Sequence, residues 1–174
     1  YNTLDVIRMT AITNDDDQTA EMLDGLSGQL KYLIGNARDR VTLQAELDSV
    51  RNYFKIIRVR YENKMTLEID VPENLLDLEV PQLVLQPIVE NSIVHGFEKR
   101  PAQHRIEITF QKEGDMLFFQ VADDGIGISP QDLGPLLRQI NGEGPIQGRS
   151  FALRNIHEQL CIAYGPRDIH IESR

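Results

Sequence analysis

The chain has 174 residues, 41% hydrophobic and 26% charged, the balance of a folded domain rather than of a disordered segment. Its net charge of -9 repels a phosphate backbone and no local basic patch offsets it, so nucleic acid is excluded as a partner. The single cysteine, Cys161, cannot form an internal disulfide and falls in an apolar helical pattern, which favours a packing role and a reducing compartment, and no apolar run approaches the ~18 residues of a membrane span.

The first third reads as helix. Leu4, Ile7 and Ala11, then Leu23, Leu26, Leu30, Leu33 and Ala37, recur at steps of three and four, the narrow seam of a coiled coil or bundle. Leu43, Leu47, Val50, Phe54, Ile57 and Tyr61 repeat the rhythm behind a candidate cap at Thr42. Two long helices joined near "NARDR" form an antiparallel hairpin, and the apolar surface such a pair leaves uncovered predicts a four-helix dimer.

After Tyr61 the period falls to two. "MTLEIDV" alternates Met65, Leu67, Ile69 and Val71 with polar residues, and "RIEITFQ" followed by "EGD" and "MLFFQVAD" predicts a hairpin. "DIHIES" predicts a last strand through Ile169 and Ile171. Between these lie "QPIVENSIVHG", a short helix near "SPQDL", and a helix with the stripe Leu153, Ile156, Leu160 and Ala163 that stops at Gly165 and Pro166. The fold expected is α+β, a helical segment over residues 1–62 followed by a two-layer α/β sandwich over 63–174.

Three segments carry chemistry. If residues 82–95 are helical, Asn91 and His95 stand one turn apart on one face, with Pro87 opening the carbonyl ladder. An asparagine oxygen beside an anionic ligand suits Mg²⁺, which takes one or two protein oxygens plus phosphate; the alternative is a polar face that caps a neighbouring loop. In "VADDGIGIS", Asp123 at a strand end can accept from an exocyclic amine, and Gly125 and Gly127 let backbone approach a flat ligand, although tight turns use the same residues. "NGEGPIQGRSFALRN" is a glycine-rich loop entering a helix whose N-terminus can hold phosphate.

The order "VPQLVLQPIVENSIVHG", "VADDGIGI", then a glycine-rich loop before "LRNIHEQL" resembles the Bergerat-fold ATP-binding domain (GHKL ATPase type) of sensor histidine kinases, in their LytS/YesM-like branch. "YNTLDVIRM" is similar to the residues that follow the phosphoacceptor histidine there, and "ELDSVRNYFKIIRVRYENK" to the next helix, so the resemblance covers nearly the whole chain. It implies that Asn91 binds Mg²⁺ with Glu90 supporting the metal's waters, and that Asp123 reads the adenine over Gly125 and Gly127. It implies further that residues 140–150 form the lid, with Gly148, Ser150 and Leu153 as nucleotide contacts, and that His95 packs or touches phosphate; His104, His157 and His170 are expected to be structural or solvated.

The activity implied is transfer of the γ-phosphoryl group of Mg-ATP to a histidine and then to an aspartate of a response regulator, in a homodimer that is the cytoplasmic part of a bacterial inner-membrane receptor. The family's histidine falls before Tyr1 and its usual Gly-Thr strand after Arg174, so a fragment that does not phosphorylate itself is expected. The related gyrase, MutL and heat-shock chaperone ATPases carry a water-activating glutamate four residues before the asparagine, where this chain has Pro87. The family's lid usually ends Gly-x-Gly-x-Gly-Leu, whereas this one has Gly148, Ser150, Ala152 and Leu153. Lost glycines imply weaker nucleotide binding if φ is positive there, or no cost if Ser150 caps the helix, and a degenerate kinase that only dimerises or binds partners is the remaining alternative.

Overall fold

A computed structural model describes residues 2–35, 39–97, 103–143, 150–166 and 169–173. Two helices, α1 (Asn2–Thr13) and α2 (Asp17–Gly35), are separated by a turn in which Asp15 has φ 56°. Asp16 starts α2: its Oδ1 accepts from the Thr19 amide at 3.0 Å and its Oδ2 from the Thr19 hydroxyl at 2.6 Å. The predicted seam is only partly covered on α2, where Leu23 and Leu30 are half-buried. The helix turns Gly25, Ser27, Gln29 and Tyr32 inward, while Leu26 and Leu33 are exposed and Ala37 lies outside the described residues. Small residues win that face because α3 comes close: a Cβ on Gly25 would meet the Asn52 carbonyl at 2.6 Å. Lys55–Asp24 and Arg58–Glu21 ion pairs flank the contact.

Strand β1 (Arg40–Thr42) leads directly into α3 (Leu43–Arg60), capped by Thr42, whose hydroxyl accepts from the Ala45 amide at 3.2 Å. Leu43, Leu47, Val50 and Phe54 then enter the main core with Met65, Leu75, Leu85, Val89, Ile93, Phe97, Ile106, Ile108 and Phe110. The stripe on α3 is therefore covered from within the chain, which corrects the expectation that a second chain must cover it.

The main sheet runs β2 (Met65–Asp70), β4 (His104–Glu113), β5 (Met116–Asp123), with β2 parallel to β4 and β4 antiparallel to β5. Gly114, at φ +57°, and Asp115 form the two-residue hairpin turn that sets Glu113 against Met116. Strand β3 (Glu79–Pro81) pairs with β1, a three-residue ladder with no sequence signal of its own.

Helix α4 (Leu85–Ser92) continues as a π turn (Ile93–Phe97), and α5 (Pro130–Ile140) and α6 (Ser150–Tyr164) complete the helical layer. Leu136, Ile140 and Leu153 form a second cluster that Ile88, Ile128, Ile169 and Ile171 close. Helix α6 ends as predicted, with Gly165 at φ +79° donating to the Cys161 carbonyl at 2.9 Å. The last predicted strand does not form: residues 169–173 keep period-two burial without a ladder, and the Ser173 hydroxyl accepts from the Ile128 amide at 2.7 Å instead.

Candidate functional site

The site is assembled where α4 ends against the loop after β5. Helix α4 starts at Leu85, three residues later than predicted, so Pro87 falls in its first turn, where backbone N–H groups have no intrahelical partner anyway. The start is held from elsewhere in the chain. The Glu46 carboxylate, 1% exposed, accepts from the amides of Leu83 (2.6 Å), Val84 (3.0 Å) and Leu85 (3.0 Å), and from the Tyr32 hydroxyl. With Leu83 at φ 61°, these successive amides form a nest that suits an anion. The Tyr32 phenol's pKa is pushed up by its burial, then by the hydrogen bond to Glu46 and that group's charge.

Asn91 is half-buried in the last turn of α4, and its side chain has no hydrogen bond to another described residue. Beside it, Glu90 accepts from Gln86 Nε2 at 2.9 Å. Tyr53 feels Glu90: its pKa is pushed up to about 12, first by burial and then by the Glu90 charge. The helix widens into a π turn at Ile93 that carries His95, with Asn91 in the last α-helical turn before it; such turns often mark functional sites.

Gly96, at the end of that turn, makes the decisive contact. A Cβ on Gly125 would meet Gly96 Cα at 2.6 Å and the Gly96 carbonyl at 2.9 Å, and the Ile126 amide donates to that carbonyl at 3.1 Å. Backbone thus packs on backbone, and only glycine permits it. A Cβ on Gly96 would lie 3.1 Å from Asp123 Oδ1, so the π turn that follows Asn91 packs directly on the start of the Asp123 loop. Asp123 Oδ1 accepts from the Gly125 amide at 2.9 Å, leaving Oδ2 of this exposed side chain for a further donor. Its neighbour Asp124 is committed to β4: Oδ1 accepts from the Arg105 amide at 2.9 Å and lies 3.8 Å from His104 Nδ1. Gly127 has φ +71°, which a Cβ would strain.

On the lid side, Gly148 lies outside the described residues. Ser150 is fully buried as the first residue of α6, and Leu153 packs with Leu136 and Ile140 in the second cluster. Ser150 and Ala152 both lie in α6, where regular helix accepts any residue with a Cβ, so neither position calls for glycine. His104 is buried and stacks on Phe97 with centroids 4.1 Å apart, His157 Nδ1 is 3.3 Å from the Ile140 carbonyl, and His170 is an exposed partner of Glu172. No group of three His, Cys, Asp or Glu able to hold a metal occurs among the described residues. Asn91 and Glu90 are neighbouring side chains with oxygen donors of the kind a hard cation takes.

Residues 77–174 match the family described as histidine kinase-, DNA gyrase B-, and HSP90-like ATPase, and residues 1–65 match the histidine kinase family. The chain belongs to the first of these families. The relatives it resembles within it are sensor histidine kinases. It is 31% identical over 174 residues to the sensor histidine kinase YesM of Bacillus subtilis, a match covering 99% of the chain and 28% of YesM. It is also 31% identical over 176 residues to the sensor protein LytS of Bacillus cereus, covering 99% of the chain and 29% of LytS. The chain thus spans under a third of the length of these relatives. The fold is shared with the Acinetobacter baumannii histidine kinase AdeS (TM-score 0.50, 15% identity, 91% of this chain and 82% of that one). Of the residues that hold the site together, Gly96 and Glu46 were not marked as such by the sequence pattern. Glu46 was findable: it lies three residues after Leu43 and four before Val50, a charge on the buried face of a helix.

Proposed function

We propose that this chain is the nucleotide-binding, phosphoryl-donating part of a sensor histidine kinase, which binds Mg-ATP and delivers its γ-phosphoryl group to a histidine, from which an aspartate of a response regulator receives it. The observation that carries this reading is the Gly96–Gly125 contact, which fixes the Asn91 helix against the Asp123 loop. Asp123 Oδ2 accepts from the adenine amine while Oδ1 stays on the Gly125 amide, so the reader is held before the nucleotide arrives. Gly125 and Gly127 admit the base. Asn91 and Glu90 hold magnesium, which when bound neutralises charge on the phosphates. Transfer breaks the bond from the γ-phosphorus to ADP as a bond to the acceptor imidazole nitrogen forms, so the residues mainly position and neutralise.

Hydrolysis is disfavoured because Pro87, in the first turn of α4, supplies no base where the water-activating glutamate of related ATPases falls. The exposed apolar residues of α1 and α2 suit self-association as a homodimer. No helix among the described residues is long and apolar enough to cross a membrane, and we place this piece on the cytoplasmic side of a membrane-anchored receptor. Calorimetry with Mg-ADP tests the site. Asp123→Asn and Asn91→Ala should each weaken binding by about tenfold or more, some 1.4 kcal/mol; unchanged affinity in both overturns the assignment.

A further inference from the structure

Glu90 is the end of a chain of hydrogen bonds that begins on α2. Gln29 Nε2 donates to Ser49 Oγ at 3.2 Å and also reaches the Ser49 carbonyl. Ser49 Oγ donates to Gln86 Oε1 at 3.0 Å, and Gln86 Nε2 donates to Glu90 Oε1 at 2.9 Å. Gln29 and Ser49 are buried, Gln86 and Glu90 half-buried. Every donor points the same way, toward the carboxylate, so each bond polarises the next. Three residues further along α2, Tyr32 donates to Glu46, whose carboxylate holds the first amides of α4. The same face of α2 is therefore tied to both ends of the helix that carries Asn91.

We propose that α2 positions the Glu90–Asn91 pair, with the chain Gln29–Ser49–Gln86–Glu90 as the link, so that a displacement of α2 changes how the site holds a magnesium nucleotide. The proposal rests on the nucleotide-site reading above. Breaking the chain leaves Glu90 without its donor and free to rotate away from Asn91, whereas Asp123 and the glycine contact are untouched. The magnesium-dependent part of affinity should fall while the base-dependent part stays. By thermodynamic reciprocity, a bound magnesium nucleotide shifts α2 by the same coupling.

The test is calorimetry of the 174-residue chain with ADP, in Mg²⁺ and in EDTA, on Gln86→Met, Gln29→Met and the double variant. Each single variant should cut the Mg²⁺-dependent gain in affinity by about fivefold, within the usual range of site coupling, and leave affinity in EDTA unchanged. The double variant should lose no more than either single, because both break one chain. A loosened structure would lower both affinities, which overturns the proposal, as does a wild-type Mg²⁺ gain in the single variants or full additivity in the double. If Gln29→Met does not fold, Ser49→Ala breaks the same chain with a smaller change. Asp123→Asn separates the two readings. If it and Asn91→Ala leave ADP binding intact, the nucleotide site and the coupling fall together; if they weaken it while Gln86→Met does not alter the Mg²⁺ gain, only the coupling falls.

Discussion

On α3, Leu43, Leu47 and Val50 recur at steps of four and three and have no exposed surface. On α1 and α2, Ile7, Leu26 and Leu33 follow the same kind of spacing and are 46%, 39% and 50% exposed. The difference lies in the neighbours. The sheet and α4 arrive over α3 after the chain has turned back through β1 and β3, whereas α2 offers α3 its small and polar residues and leaves Leu26 and Leu33 outward. Periodicity locates an apolar stripe on a helix and is silent about which element covers it.

The largest expected effect is at the point where the two regions meet. Glu46→Ala leaves three buried amides and the Tyr32 hydroxyl without their acceptor, and releases Leu83 from its positive φ. A loss of about 3–5 kcal/mol is expected, as for other broken buried charge contacts, read as the shift of a urea unfolding curve. Leu47→Ala should cost about 2–5 kcal/mol through the cavity it opens in the enclosed stripe. The open stripe should answer differently. Ile7→Lys with Leu33→Lys should change unfolding by only about 0.5 kcal/mol while raising the dimer dissociation constant by about tenfold or more in sedimentation experiments. A large loss of stability with no change in association would erase the contrast between the stripes.

Two smaller effects sharpen it. Tyr53, beside α3's covered face, has its pKa pushed up to about 12 from an ordinary 10.0 by burial, then by the Glu90 charge. The folded protein keeps that proton longer than the unfolded chain, so the stability contribution is full below pH 10 and is lost as pH rises toward 12. Tyr53→Phe should flatten this alkaline fall in a pH series of melting temperatures. The smallest effect concerns the lid. Because Ser150 and Ala152 are helical, Ser150→Gly with Ala152→Gly should leave Mg-ADP affinity unchanged or weaker; severalfold tighter binding would show that these positions need glycine after all.

Much of the fold could be read from local pattern. Strands β2 and β4 alternate in sequence as they do in burial, Thr42 caps α3, and Gly165 stops α6, because each signal depends on residues within a few positions. What escaped depends on distant ones. The β1–β3 ladder joins Val41 to Val80 in strands three residues long, too short for periodicity to mark, and Ile169 and Ile171 keep a strand's alternation with no ladder partner. In the candidate site, Asn91, Asp123, Gly125 and Gly127 stood out by residue type, whereas Gly96 gained meaning only when Gly125 was brought against it from another element. The π turn at Ile93 escaped for a different reason: it gives no signature in residue spacing.

The enclosed stripe also decides where this protein can be cut. A truncated protein beginning at residue 63 would keep the sheet and α4 but strip Leu43, Leu47, Val50 and Phe54 from the core, and Glu46 from the start of α4. Its exposed apolar floor should make it aggregate on expression, whereas one beginning at Arg40 keeps β1, the Thr42 cap and α3 and should stay soluble as an isolated nucleotide-binding unit.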